Sequence, residues 1–252
     1  MNISRKEWKA YVDKLSRINN TVSDLVQQYI EKNGLDDVDA LIRYSYKLAE
    51  KYGNASAAMN ALMYDTIAEF EKIVLPPAEL APLPTYGDVA KAVNGTLKTS
   101  ENPSEIGGAV SRLVKQTGED TMLRNALRDG AQFAWIPEGE TCAYCIMLAS
   151  NGWQNMSRDA LKNGHAEHIH SNCNCTYMVR HTSSYNVSGY DPDKYYEMYK
   201  DADGGNWRDK VNSMRREFYA ENKDAINEQK RMTYRARAEA LNSSTATETN
   251  VD

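Results

Sequence analysis

All four cysteines and all four histidines of this chain fall between residues 142 and 181. No other feature restricts the fold so tightly, because groups that share an ion must be brought to one point. The pattern is Cys142-x2-Cys145-x24-His170-x2-Cys173-x-Cys175. A Cys-x2-Cys turn sets two sulfurs on one side of a tight loop, at a separation that suits a tetrahedral ion. A His-x2-Cys-x-Cys knuckle can close the other half of the tetrahedron. Zinc accepts mixed sulfur and imidazole donors and needs no redox partner. It takes four ligands, and the pattern offers five. Cys142, Cys145 and Cys175 are the first choices, with His170 and Cys173 competing for the fourth place. Alternate strand residues share a face, which would pair Cys173 with Cys175; a turn would equally pair His170 with Cys173. His165 and His168 read as loop residues.

Compartment bears on this choice. The opening stretch MNISRKEWKAYVDKL holds no apolar core of a leader, and no run approaches the length of a membrane span. The expectation is a chain made in a cytoplasm, where thiols stay reduced and clustered cysteines serve metals more often than structural disulfides. A net charge of −5 gives no global basic field for nucleic acid. Segment 132–181, with short strands and a long polar loop, buries too little apolar surface to fold alone. A zinc site supplies an apparent ~10–16 kcal/mol, comparable with the stability of a whole domain. A metal-free cysteine cluster, and a catalytic zinc with an open position, are the competing readings.

Catalysis lacks its other parts. Glu138, Glu140 and Glu167 are the only carboxylates close in sequence to the ligands, and no zinc deaminase signature accompanies them. The zinc-protease helix motif, a phosphate-binding glycine loop and the nucleophile elbow are absent too. The expectation is a non-enzyme with no catalytic residues.

The rest of the chain reads as mostly helical. Ser4 and Glu7 form a capping box for a helix over 4–32, whose Trp8, Tyr11, Val12, Leu15, Val22, Val26 and Ile30 keep helical spacing up to Asn33-Gly34. Two more helices are expected over 37–52 and 56–74, then a Pro-rich connector, then helical patterns over 87–97, 103–117 and 119–131, with Pro103 and Gly118 as breaks. Strands are expected over 131–139 and 176–181, and a short helix over 190–200 with Tyr195, Tyr196 and Tyr199 on one face. A long charged helix runs from Trp207 to about Leu241 on a thin apolar stripe, with a basic end at 230–237, before a polar tail. The predicted organisation is an N-terminal helical region 1–75, connector 76–86, helical region 87–130, Cys/His module 131–200, charged helix 201–241 and disordered tail 242–252. The fold class is α+β: mostly α-helical with a small β-containing, zinc-stabilised module.

At the module the sequence resembles a known family. FAWIPEGETCAYCIMLASNGW followed by HIHSNCNCTYMV is similar to the C-terminal module of MuF-like phage minor head proteins. Phe133, Pro137, Gly139, Thr141, Cys142, Cys145, Met147, Leu148, Ala149, Ser150 and Gly152 match the first half of that pattern, and His170, Cys173 and Cys175 the second. DPDKYYEMY (191–199) resembles the segment that follows. Asn174 departs from the Arg or Asp usual between the last two cysteines, as does the HAEHI approach. The resemblance implies a virion component made in the host cytoplasm. It would sit inside the capsid near the portal, act in head assembly and genome packaging or delivery, and contact the portal or major capsid protein. Packaged DNA at the basic 230–237 segment is a further candidate partner. Zinc-containing nucleic-acid binding is the alternative function, followed by a zinc-dependent hydrolase or transferase.

Overall fold

The computed structural model describes residues 2–100, 102–139, 141–162 and 173–248. A two-residue strand, β1 (Asn2–Ile3), leads into α1 (Arg5–Asn33). The Ser4 hydroxyl accepts the Glu7 amide proton while the Glu7 carboxylate takes the Ser4 N–H, so the expected capping box forms.

The helices expected over 37–52 and 56–74 are one helix, α2 (Val38–Phe70). Gly53 sits inside it without breaking it. A Cβ at Gly53 would come within 3.2 Å of Leu83 Cδ2, so this glycine admits the connector rather than ending a helix. The same correction applies to α4 (Pro103–Asp129), which runs straight through Gly118. A Cβ there would meet Ser56 Oγ at 2.3 Å and Asn60 Nδ2 at 2.4 Å, so Gly118 is where α2 crosses α4. Pro103 does act as expected, opening α4 behind an Asn102 cap. Between these helices lies α3 (Tyr86–Leu97), begun by a Thr85–Asp88 capping box.

The Pro-rich segment before α3 is extended, and side chains hold it against the bundle. Asp65 accepts the Ala78 N–H, the Asn125 amide exchanges hydrogen bonds with Glu79, and Thr121 accepts from Ala81. Arg128 donates to the carbonyls of Pro76 and Pro77. Prolines leave few backbone donors, and those of Ala78, Glu79 and Ala81 find side-chain partners.

α4 is the axis of the bundle. It packs against α2, α1 and α3, and buries residues on all sides, from Ile106 and Val110 to Met122 and Ala126. One apolar cluster joins Val22, Val26, Leu41, Val93 and Val110 at one end of the bundle. The other joins Trp8, Tyr64 and Met122 to the second half of the chain, through Trp135 and Tyr177. Each such side chain contributes roughly 1.5–3 kcal/mol on burial.

That second half is a small sheet wrapped in short helices. After α4 come β2 (Gln132–Ile136), α5 (Ala143–Ala149), β3 (Gln154–Asn155), α6 (Arg158–Lys162), β4 (Thr176–Arg180), β5 (Asn186–Val187), α7 (Pro192–Lys200) and α8 (Trp207–Glu248). The sheet order is β3-β2-β4, antiparallel throughout. β2 and β4 pair from Gln132 with Arg180 to Ile136 with Thr176, and both are buried over most of their length. β1 pairs in parallel with β5, Ile3 opposite Val187. The α+β, mostly helical class is as expected.

On α7, Tyr195 and Tyr199 pack on the core while Tyr196 is exposed, so the three tyrosines do not share a face. α8 continues to Glu248 instead of ending near Leu241, since no proline or glycine interrupts it. Its 42 residues span about 63 Å. Among its described side chains, the buried ones lie in its first turns, at Val211, Ser213 and Met214.

Candidate metal centre

The pairing of β2 with β4 brings the two halves of the cysteine motif together. Ile136 and Thr176 form the last pair, so the chain entering β4 at Cys173–Cys175 lies beside the chain leaving β2. The turn at Pro137–Gly139, with Gly139 at φ 68°, carries that chain to Cys142, the N-cap of α5. Cys145 then falls in the first turn of α5. The α5 backbone is steadied by α7, whose preceding Tyr190 donates its hydroxyl proton to the Ala149 carbonyl.

Three sulfurs meet here. Those of Cys145, Cys173 and Cys175 lie within 4.8 Å of one another, and all three residues are buried. Cys145 Sγ and Cys173 Sγ are 3.4 Å apart. None of the four cysteines is in a disulfide. Metal–thiolate bonds of about 2.3 Å place sulfurs about 3.8 Å apart around a tetrahedral ion, so this spacing needs little adjustment to hold one. Cys142, half-buried, also contacts the Cys145 sulfur. The Glu138 backbone makes a hydrogen bond to Cys175. Such amide-to-sulfur bonds steady a thiolate without adding a competing ligand.

The ionisation of the sulfurs reflects this crowding. Contacts from Cys142, Cys173 and Cys175, together with burial, hold the Cys145 thiol far above its usual range. For Cys175 the contact from Cys145 pulls down, but the Cys173 contact and burial outweigh it, and the thiol is pushed up to about 12. Raised in this way, the Cys145 and Cys175 thiols give up protons when a cation binds.

α4 supplies a support that the motif does not reveal. Lys115, buried, donates from Nζ to the carbonyls of Cys173 and Cys175 at 2.5 and 2.6 Å, with the Trp135 ring 5.6 Å away. One turn on, buried Glu119 accepts from the Thr176 hydroxyl at 2.5 Å and the Tyr177 N–H at 3.0 Å. Burial pushes the Glu119 carboxyl up to about 7, although Lys115, Thr176 and Tyr177 all favour its charged form. Helix α1 adds a contact through Ser16, whose hydroxyl donates to the Asn174 side chain at 2.9 Å. A signal for the α4 pair was present: Ser111, Lys115, Glu119, Met122 and Ala126 recur at helical spacing, putting two charges in a buried stripe.

Cys145, Cys173 and Cys175 are thus brought together, with Cys142 touching the first of them. His170, together with His165, His168 and Glu167, lies outside the described residues, as does Glu140. Glu138 is paired with Arg5 at 2.9 Å. His181 follows the far end of β4, about 17 Å of strand from the cysteines. Buried soft sulfur donors at this spacing suit a thiophilic ion, and the residues that would hold it are Cys145, Cys173 and Cys175.

Among the described residues no helix is long and apolar enough to cross a membrane. A family model described as VG15 protein matches residues 2–202, which takes in the bundle and the cysteine module and stops short of α8. No curated protein and no solved structure gives a significant match.

Proposed function

Since the chain belongs to the VG15 protein family, a phage-associated family, we propose that it is a virion protein of the MuF-like minor head type. It acts inside the capsid near the portal, in head assembly and genome packaging or delivery. Its partners are the portal protein, the major capsid protein, or both. The observation that carries this reading is the family match across 2–202, which spans the two halves that the sequence resemblance left unequal.

The chain's role is structural rather than enzymatic. The cysteine cluster is buried, and its nearest described carboxylate from α4, Glu119, is occupied by Thr176 and Tyr177. Zinc, when bound, supplies a cross-link between the α5 and β4 knuckles. Cys145, Cys173 and Cys175 would hold it, with Cys142 or His170 as candidates for the fourth place. The chain's own residues do the rest: Lys115 and Glu119 hold the β4 knuckle, and the α5 N-terminus presents the other.

Outside the family match, α8 extends an exposed surface suited to a partner, with Phe218, Tyr219 and Met232 among its charges. Co-purification of tagged protein with portal and capsid proteins from infected cells tests the assignment. Association with proheads supports it, and a stable monomer that never joins them overturns it. Metal analysis of protein purified under reducing conditions without chelator tests the zinc; a stoichiometry near zero refutes it.

A further inference from the structure

The sulfurs of Cys145, Cys173 and Cys175 lie within 4.8 Å of one another and Cys142 touches that of Cys145, so bond exchange is open to them as well as a shared ion. We propose that Cys145 and Cys173 form a disulfide when the protein meets a peroxide, so that a covalent clasp replaces the metal clamp. The timing rests on the virion reading above, because a particle passes from a reducing cytoplasm into oxidising surroundings.

The geometry suits this pair. Cys145 Sγ and Cys173 Sγ are 3.4 Å apart, and a disulfide requires about 2.05 Å. The sulfurs must therefore close by about 1.4 Å. The knuckles themselves are held, one by Lys115 on the Cys173 and Cys175 carbonyls and the other by the packing of α5 under Tyr190. The bond would join the chain before β4 to α5, which is the connection a shared ion makes.

Burial selects the route. Cys145 is 1% exposed and Cys173 6%, so peroxide does not reach them directly. Cys142 is half-buried and touches Cys145, which makes it the entry point. Its thiol reduces hydrogen peroxide, giving a sulfenic acid and water. The Cys145 thiol then displaces the sulfenic hydroxyl, forming a Cys142–Cys145 disulfide and releasing a second water. Cys173 next attacks the Cys145 sulfur and breaks its bond to Cys142, whose sulfur takes up the proton that Cys173 gives up. In sum, two thiols and one peroxide become one disulfide and two waters. The two electrons pass from sulfur to peroxide oxygen. A cation held by these sulfurs would lose two of its donors.

The full chain, reduced and loaded with zinc, is exposed to hydrogen peroxide. Disulfides are mapped by peptide mass, and freed zinc is followed with a chromogenic chelator. The expected product is a Cys145–Cys173 linkage that accumulates in step with zinc release. Cys142→Ser should slow its formation by about tenfold or more, and Cys173→Ser should stop the sequence at Cys142–Cys145. The clasp is overturned by a lasting Cys142–Cys145 product in the unaltered chain, by intermolecular bonds alone, by no bond, or by undiminished oxidation of Cys142→Ser. The unaltered chain decides the linkage even where a variant folds poorly. A chain that takes up no zinc yet forms the bond refutes only the metal assignment. A chain that binds zinc and resists the bond refutes only the clasp.

Discussion

Replacing Lys115 with methionine tests whether the cysteine knuckle is held by the helix beneath it. Methionine keeps most of the volume of the side chain and removes the cation. Two carbonyls, those of Cys173 and Cys175, lose their donor inside a buried site. An acceptor left unsatisfied costs roughly 1–3 kcal/mol. Glu119 also loses the strongest influence favouring its charged form, in a setting where burial has already brought its carboxyl to about 7. Stripping a buried charge of its counter-charge costs about 3–5 kcal/mol, but Glu119 can take up a proton and escape part of that. Since the cost of breaking a buried pair already includes its lost hydrogen bonds, the terms overlap, and the expected effect at pH 8 is about 3–5 kcal/mol, a large share of the 5–15 kcal/mol typical of a domain. Urea denaturation followed by tryptophan fluorescence measures it, since Trp135 packs beside Lys115. Adding Glu119→Gln should return about 1–2 kcal/mol of the loss, because the orphaned carboxylate is gone. A Lys115→Met cost below about 1 kcal/mol would refute the reasoning. Strict additivity of the two changes would show that Lys115 and Glu119 do not act on one another.

Three further outcomes follow from the same contacts. Gly118→Ala should destabilise by about 1–3 kcal/mol through overlap with Ser56 and Asn60, while Gly95→Ala, whose added methyl meets nothing within 4 Å, should stabilise by about 0.5–1 kcal/mol; matched thermal melts of the two variants check this. Burial lowers the His181 pKa from 6.5, despite the pull of Glu71 and Asp129. The neutral ring therefore favours the folded state above the ordinary histidine range, and this contribution is lost as pH falls from 6.5 through the lowered value. The midpoint in urea should drop over that window, and His181→Gln should flatten the drop; an unchanged slope in the variant would assign the acid sensitivity elsewhere. Truncation after Ala220 removes most of α8 and should leave the melting temperature of the remainder within a degree or two, as Val211 and Met214 stay in place.

How much of this was legible in the sequence depended on whether the determining contact was local. The α1 boundaries were, because Ser4, Glu7 and Gly34 act within one turn of themselves. The cysteine spacing led to one shared site, but the pairing of β2 with β4 that brings Cys145 to Cys173 and Cys175 could not be read from it. The continuity of α2 and α4 was not legible either. Gly53 and Gly118 carry the local mark of a helix break, but each is a glycine because of a residue far along the chain, Leu83 in one case and Ser56 and Asn60 in the other. The role of Lys115 and Glu119, though not their stripe, was hidden for a related reason. A charge in a helical stripe usually faces water, and only the β4 entry packed over this one shows what it serves.

The parallel pairing of Ile3 with Val187 also sets an order of events during synthesis. The first strand of the chain finds its partner only after β5 has been made. The cluster that receives Trp8 likewise includes Trp135, Tyr177 and Val187, all from the later half. At about 5–20 residues per second, the start of α1 waits roughly 10–40 s on the ribosome with its apolar stripe unmatched. Contacts between such distant parts of the chain make for slow closure. Helper proteins that cover exposed apolar surface should therefore engage this chain early, at its first helix, and leave when the last short strand arrives.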